Sequence, residues 1–144
     1  DVYKRQVRGN GRILQNLALD RIQSLEVLPQ EHYIKNTFFD PNTFFDDLVG
    51  VTKNTGSVAE KVGFKVAAAE APYIITKPIH RSQQVMERLA DGSVILEIEV
   101  VINHELERVF FGYAEGIQVL YPKTLVELMG RKLKKAAEQY THSK

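Results

Sequence analysis

The stretch SVILEIEVVI, residues 93–102, decides the fold. Val94, Leu96, Ile98, Val100 and Ile102 fall on one side of an extended chain, with Glu97 and Glu99 on the other. A period of two with one apolar side predicts a strand with one buried and one wet face. Just before it, Asp91-Gly92 is a hairpin turn signal, so Gln84–Leu89 reads as the preceding strand. Just after it, Asn103 is placed to cap a helix carrying Leu106, Val109 and Phe110 and ended by Gly112. Ile117–Leu120 reads as a last short strand.

Working back, Val62, Phe64 and Val66 alternate with Lys61 and Lys65, a second half-buried strand. Ala67–Ile75 can form a short helix with Pro72 near its start. Working forward, Thr124 and Glu127 have capping-box spacing after Pro122. The helix they open places Leu125, Leu128, Met129, Leu133, Ala136 and Tyr140 on one side. Lys132, Lys134 and Lys135 gather toward its C-terminal half, where cations suit the dipole. The order after residue 58 is β-α-β-β-α-β and then a terminal helix. That is an α+β, ferredoxin-like arrangement: an antiparallel sheet with its helices on one face.

The N-terminal third is less regular. Residues 12–28 read as extended, with Ile13, Leu17, Leu19, Leu25 and Val27 apolar, and Pro29 ends the run. A lone strand pair is marginal in water, so this segment needs partners. Asp40 and Pro41 mark a helix start over 40–49, with Phe44, Phe45 and Leu48 as its apolar stripe and Gly50 as its C-cap. Lys53–Ser57 is a polar loop. Asp1–Gln6 fits nothing that follows and reads as a linker or scar, outside the fold. NTFFD occurs at 36–40 and again at 42–46, a local echo.

Composition excludes several classes. The 144 residues are 44% hydrophobic and 26% charged, ordinary values for a folded chain, so wholly disordered or collagen-like readings are out. Cysteine is absent, which removes disulfide scaffolds, thiolate zinc sites and cysteine nucleophiles. No apolar run reaches the roughly 18 residues of a membrane span, and the start lacks a signal-peptide core. The expectation is a soluble cytoplasmic protein without membrane contact. Net charge is +1 but uneven: +3 over residues 1–21, −6 over 22–122 and +4 over 123–144. A solvated surface accounts for such a split; an anionic partner at either end would account for it too.

Catalytic chemistry is scarce. His32, His80, His104 and His142 are not spaced as a helical metal pair. His104-Glu105 begins like a zinc-protease motif, but Arg108 stands where the second histidine is needed. Gly9-Asn10-Gly11 lacks the further glycine of a nucleotide loop and reads as a hairpin turn. Glu97 and Glu99 could act as a carboxylate pair, but alternate polar residues are what any half-solvated strand shows. An RNA-recognition sheet would carry stacking aromatics on its central strand; SVILEIEVVI has none and carries two carboxylates. The expectation is a non-enzymatic chain without cofactor or metal. A small-molecule-sensing regulatory module remains open on this fold.

Two stretches go beyond pattern. One is LQNLALDRIQSLEVL, residues 14–28. The other is the series Ala71-Pro72-Tyr73-Ile74, Lys77-Pro78-Ile79-His80-Arg81-Ser82-Gln83, Gly112-Tyr113 and Val119-Leu120-Tyr121-Pro122. Together they resemble the C-terminal part of bacterial WYL-domain transcriptional regulators. The resemblance implies this organisation: residues 1–11 a scar or disordered start, and 12–35 the last strands of an incomplete WYL barrel, with Asp20-Arg21-Ile22 in its closing strand. Residues 36–57 would be a linker with a short helix, and 58–144 the ferredoxin-like WCX extension. It further implies effector sensing and homodimerisation. The effector would be a nucleotide or single-stranded nucleic acid, and promoter DNA would be bound only through an N-terminal helix-turn-helix domain missing from this chain.

The Trp-Tyr-Leu tripeptide that names the family is absent, as expected if it lies upstream. Where many members carry an arginine at the ligand site, this chain has Gln15, which removes a charge-assisted contact and shifts anion binding to Arg12 or Arg21. The candidate effector residues are therefore Arg12, Gln15, Arg21, His80, Arg81, Ser82 and Gln83. Arg21 could instead pair with Asp20 or a barrel neighbour. Ser82 and Gln83 could instead satisfy backbone groups at a turn. The competing reading is a stand-alone small-molecule-binding module on a ferredoxin-like sheet. A third is a dimerisation module with no ligand.

Overall fold

The computed structural model describes residues 3–8, 13–27, 29–30, 32, 37, 39–54 and 56–141, with 3–8 and 13–19 described by their backbone. The chain divides into two compact units, residues 1–46 and 47–144.

In the first unit, β1 (Tyr3–Arg8) pairs antiparallel with β2 (Ile13–Ala18), from Tyr3↔Ala18 to Arg8↔Ile13. The stretch set aside as a scar thus contributes most of a strand. Its alternation is hidden by charge, because YKRQVR carries three basic residues in six positions. Gly9-Asn10-Gly11, expected to turn a hairpin, lies outside the described residues. The extended reading of 12–28 ends at Ala18. Leu19–Arg21 is a single 3₁₀ turn, so Asp20 and Arg21 do not sit in a strand. Leu25 and Val27 follow without regular structure, 87% and 86% exposed.

The helix expected over 40–49 is replaced by successive turns over residues 41–47. Asp40 does organise their start: its carbonyl accepts the Thr43 and Phe44 N–H groups, and its Oδ1 accepts the Asn42 N–H at 2.9 Å. That is the bond an N-cap makes, so the expected start is present and the continuation is what fails: turns follow it and no helix does. Both halves of the NTFFD echo meet here: Phe39 and Phe44 pack edge to face with centroids 5.0 Å apart.

The second unit has the anticipated order. It runs β3 (Glu60–Val66), α1 (Ala71–Thr76), β4 (Gln84–Arg88), β5 (Val94–Val100), α2 (His104–Gly112), β6 (Ile117–Tyr121) and α3 (Lys123–Thr141). The four strands lie in the order β4-β5-β3-β6, every neighbour antiparallel, which is the ferredoxin-like topology. The alternation that predicted β5 sets its burial. Val94, Leu96, Ile98 and Val100 are buried, and they join Val62, Phe64 and Val66 of β3 in one core. Ala71 and Ile74 of α1, Leu106 and Phe110 of α2, and Leu125 and Met129 of α3 close over them. The Phe64 and Phe110 rings lie 5.2 Å apart. Burial of such a side chain stabilises by about 1.5–3 kcal/mol each, so these residues carry the fold.

Asn103 caps α2 as expected, accepting the Leu106 N–H at 2.8 Å. The capping box on α3 is not formed: the helix already includes Lys123, and the Leu125 and Val126 N–H groups bond Pro122 O. Thr124 is therefore inside the first turn, and Glu127 faces Lys123 at 3.7 Å instead of reaching back.

Candidate functional site

His80–Gln83 form the connection from α1 to the edge strand β4. Lys77 and Pro78 break the helix, and the loop must then return to the sheet. Gln83 fixes that return from both ends of its amide. Its Oε1 accepts the Ile79 N–H at 3.0 Å, and its Nε2 donates to Ile74 O at 2.9 Å. Ser82 fixes the loop to the sheet: its Oγ accepts the Glu99 N–H at 2.8 Å and lies 3.3 Å from Glu99 O. The β4–β5 ladder stops at Gln84↔Glu97, so this hydroxyl occupies the next backbone position along β5. His80 Nδ1 lies 2.7 Å from Ser82 Oγ and accepts the Ser82 N–H at 3.2 Å, which directs the ring's Nε2 away from the serine. Arg81 is exposed at the loop tip between these two anchored residues.

The loop thus has two layers. Ser82 and Gln83 are struts, and the imidazole and guanidinium of His80 and Arg81 are carried on them. Among the described residues, no three metal-ligating side chains come together.

The other candidate residues belong to the first unit. Gln15 lies in β2 opposite Gln6. Arg21 ends the 3₁₀ turn and is exposed. Arg12 lies outside the described residues. Among the described candidates of the second unit, the structure brings His80, Arg81, Ser82 and Gln83 together in one loop.

A second polar cluster lies on the sheet face opposite the core. Register places Gln84, Glu97, Gly63 and Tyr121 in one row across the four strands. The hydroxyl end of the Tyr121 ring covers Gly63, where any Cβ would collide with Cζ and both Cε atoms. Its hydroxyl reaches past the glycine to donate to Glu97 Oε2 at 2.7 Å. Lys61 Nζ meets the other oxygen, Glu97 Oε1, at 2.9 Å. The phenol hydrogen bond first, then the ammonium, holds the Glu97 carboxyl below the ordinary range. The same bond raises the Tyr121 phenol, and Glu97 raises Lys61. Sequence reading placed Glu97 on this face but missed its partners. The available signal was Gly63, a glycine inside a strand, which marks close approach by another group.

The fold and loop define a ferredoxin-like α+β domain whose α1–β4 connection is fastened to the sheet edge and includes the half-buried His80 and the exposed Arg81. Residues 59–137 match the model of the WCX domain, and the chain belongs to that family. The WCX domain is a C-terminal extension associated with the WYL domain. No curated protein matches the chain at a significant level. No helix among the described residues is long and apolar enough to cross a membrane.

Proposed function

We propose that this chain is the effector-sensing and self-associating part of a bacterial helix-turn-helix transcriptional regulator. It acts in the cytoplasm as a homodimer, without catalysis, and promoter DNA is bound through a separate N-terminal domain. The observation that carries this reading is the WCX match over residues 59–137, because that extension accompanies WYL domains. The 14–28 stretch, which resembles the end of a WYL domain, lies outside the matched range and adds independent support.

The effector in this reading is an anion, a nucleotide or a short single-stranded nucleic acid. Arg21 and Arg81 are exposed, and guanidinium groups suit phosphate through paired N–H donors. His80 stands beside Arg81 on the braced loop. Such a ligand regulates by binding one arrangement of the dimer better than another.

Thermal melts with nucleotides and short single-stranded oligonucleotides test this. The expected result is a melting temperature that climbs with ligand concentration, since a ligand at 100 times its Kd adds about 2.7 kcal/mol. Arg21→Ala or Arg81→Ala should weaken the shift. No shift with any of these ligands removes the anionic effector. A substrate turnover abolished by one substitution removes the non-enzymatic reading.

A further inference from the structure

Helix α3 is packed for only half its length. Leu125 and Met129 are buried, yet every residue from Arg131 to Thr141 is exposed. At 1.5 Å per residue, about 18 Å of helix continues past Met129, its last buried residue. That half is still amphipathic. Val126, Met129, Leu133, Ala136 and Tyr140 are spaced 3-4-3-4, the a/d pattern of paired helices. Leu133 is 43% exposed and Tyr140 84% exposed.

The spacing of the seam, though not its residues, is the same in both directions. Leu133, Ala136, Ala137 and Tyr140 are symmetric about the point between the two alanines. Two copies running antiparallel would set alanine against alanine, where small side chains let the helices approach. Each Leu133 would then meet the Tyr140 of the other copy. A two-fold axis requires this kind of self-complementary patch.

The cations do not lie on the seam itself. At 100° per residue, Arg131 and Lys135 point away from the seam, about 160° from Leu133. Lys132 borders the seam, but its ammonium is ion-paired to the buried Glu107. A nucleic acid drawn to the cations would leave the apolar seam bare. A second copy covers the seam and leaves the cations in water.

We propose that the C-terminal half of α3 is a self-association element, pairing antiparallel with α3 of a second copy through Leu133, Ala136, Ala137 and Tyr140. This deepens the self-association part of the function proposed above and rests on it. Two three-turn faces bury well under the roughly 1,200 Å² of a stable stand-alone interface, so the contact is weak and concentration-dependent.

The chain has no cysteine, so single introduced thiols give a clean test. Ala136→Cys should form a disulfide dimer on mild oxidation, and Arg131→Cys, on the far side of the helix, should not. Sedimentation should show a monomer–dimer equilibrium in the micromolar range. Added salt should tighten it by screening the like-charged helices. Leu133→Asp should abolish it with the circular dichroism spectrum unchanged. A chain monomeric at every concentration overturns the proposal. So does a dimer that Leu133→Asp leaves intact, which would place the interface elsewhere. Oligonucleotide binding that Leu133→Asp abolishes also overturns it. A ligand-dependent rise in melting temperature that persists in Leu133→Asp would keep the effector-sensing reading standing when this one falls.

Discussion

The phenol of Tyr121 donates to Glu97 across the bare backbone of Gly63, linking β6 to β5 over the strand between them. Three strands are thus tied on the face that the helices leave uncovered. Lys61, two residues before Gly63 on the same strand face, completes the tie through the second carboxylate oxygen. The contact lies on the solvent side, so its contribution is to register and sheet-face order more than to gross burial.

Gly63→Ala should destabilise the domain. The added methyl would enter the Tyr121 ring, which cannot remain over the strand. Overpacking of this kind costs about 1–3 kcal/mol. Urea unfolding should show the loss, and Tyr121→Ala combined with Gly63→Ala should lose less than the two single losses added together. Strict additivity would mean that the ring and the glycine are independent.

The same cluster sets a pH dependence at two ends of the scale. Folding lowers the Glu97 pKa below 4.5, so its contribution is present above the unfolded value and is lost as pH falls through the folded one. Folding raises Tyr121 above 10.0 and Lys61 above 10.5. Their contributions are present below those values and are lost as pH rises through the folded ones. Urea midpoints measured across pH should therefore fall at both ends, and Glu97→Gln should flatten both falls. The phenolate absorbance of Tyr121 should appear at lower pH in Glu97→Gln. A phenolate titration unmoved by that substitution would refute the tie.

Ser82→Ala should release the α1–β4 loop from the sheet edge. The Glu99 N–H loses its acceptor at a position the β4 ladder does not reach. Losing one such bond costs about 1 kcal/mol. The local readout is sharper: the Glu99 amide should exchange faster with solvent, and the Leu96 amide should not. If effector binding rests on the braced loop, Ser82→Ala should also weaken the ligand-induced rise in melting temperature.

The parts legible in the sequence are those decided by neighbours in the chain. Val94 to Val100 alternate because each residue's face follows from its own position, and Asp91-Gly92 turns because Gly92 takes φ +82°. Asn103 caps because its acceptor lies three residues away. The ferredoxin-like order followed from such local signals. What was missed depends on register between distant strands or on competing local bonds. Tyr121 finds Glu97 only once β3 lies between them. Asp40 makes its cap bond to Asn42, yet the turns after it do not join into the expected helix. Thr124 has the right spacing to cap, but Pro122 supplies the first acceptor and the helix starts two residues early. Of the candidate site, the strut roles of Ser82 and Gln83 were readable as turn chemistry. Their particular partners, Glu99 and Ile74, were not.

The segment entering the second unit is clasped to the start of α2, and breaking the clasp should be the most damaging polar change in the domain. Asn103 caps the helix through Oδ1, and its Nδ2 donates to both Val49 O at 2.9 Å and Thr52 O at 3.0 Å. Glu105 accepts the Val51 and Thr52 N–H groups, each at 3.1 Å. Between these contacts Gly50 adopts φ +81°, and a Cβ there would stand 2.6 Å from Glu105 Cδ. Asn103→Ala therefore removes a cap and leaves two carbonyls without their donor. Cap loss alone costs about 1 kcal/mol and reaches about 2 kcal/mol in folded proteins; the orphaned carbonyls add to it. Gly50→Ala meets both the left-handed backbone and the Glu105 carboxylate, so it should also destabilise. Shortening the acid in Glu105→Ala relieves only the second of these. The double variant Gly50→Ala with Glu105→Ala should accordingly recover the steric part of the loss and keep the backbone part. Denaturation midpoints of the three proteins separate the two, and a double variant no better than the sum of its singles would show that Glu105 does not crowd Gly50.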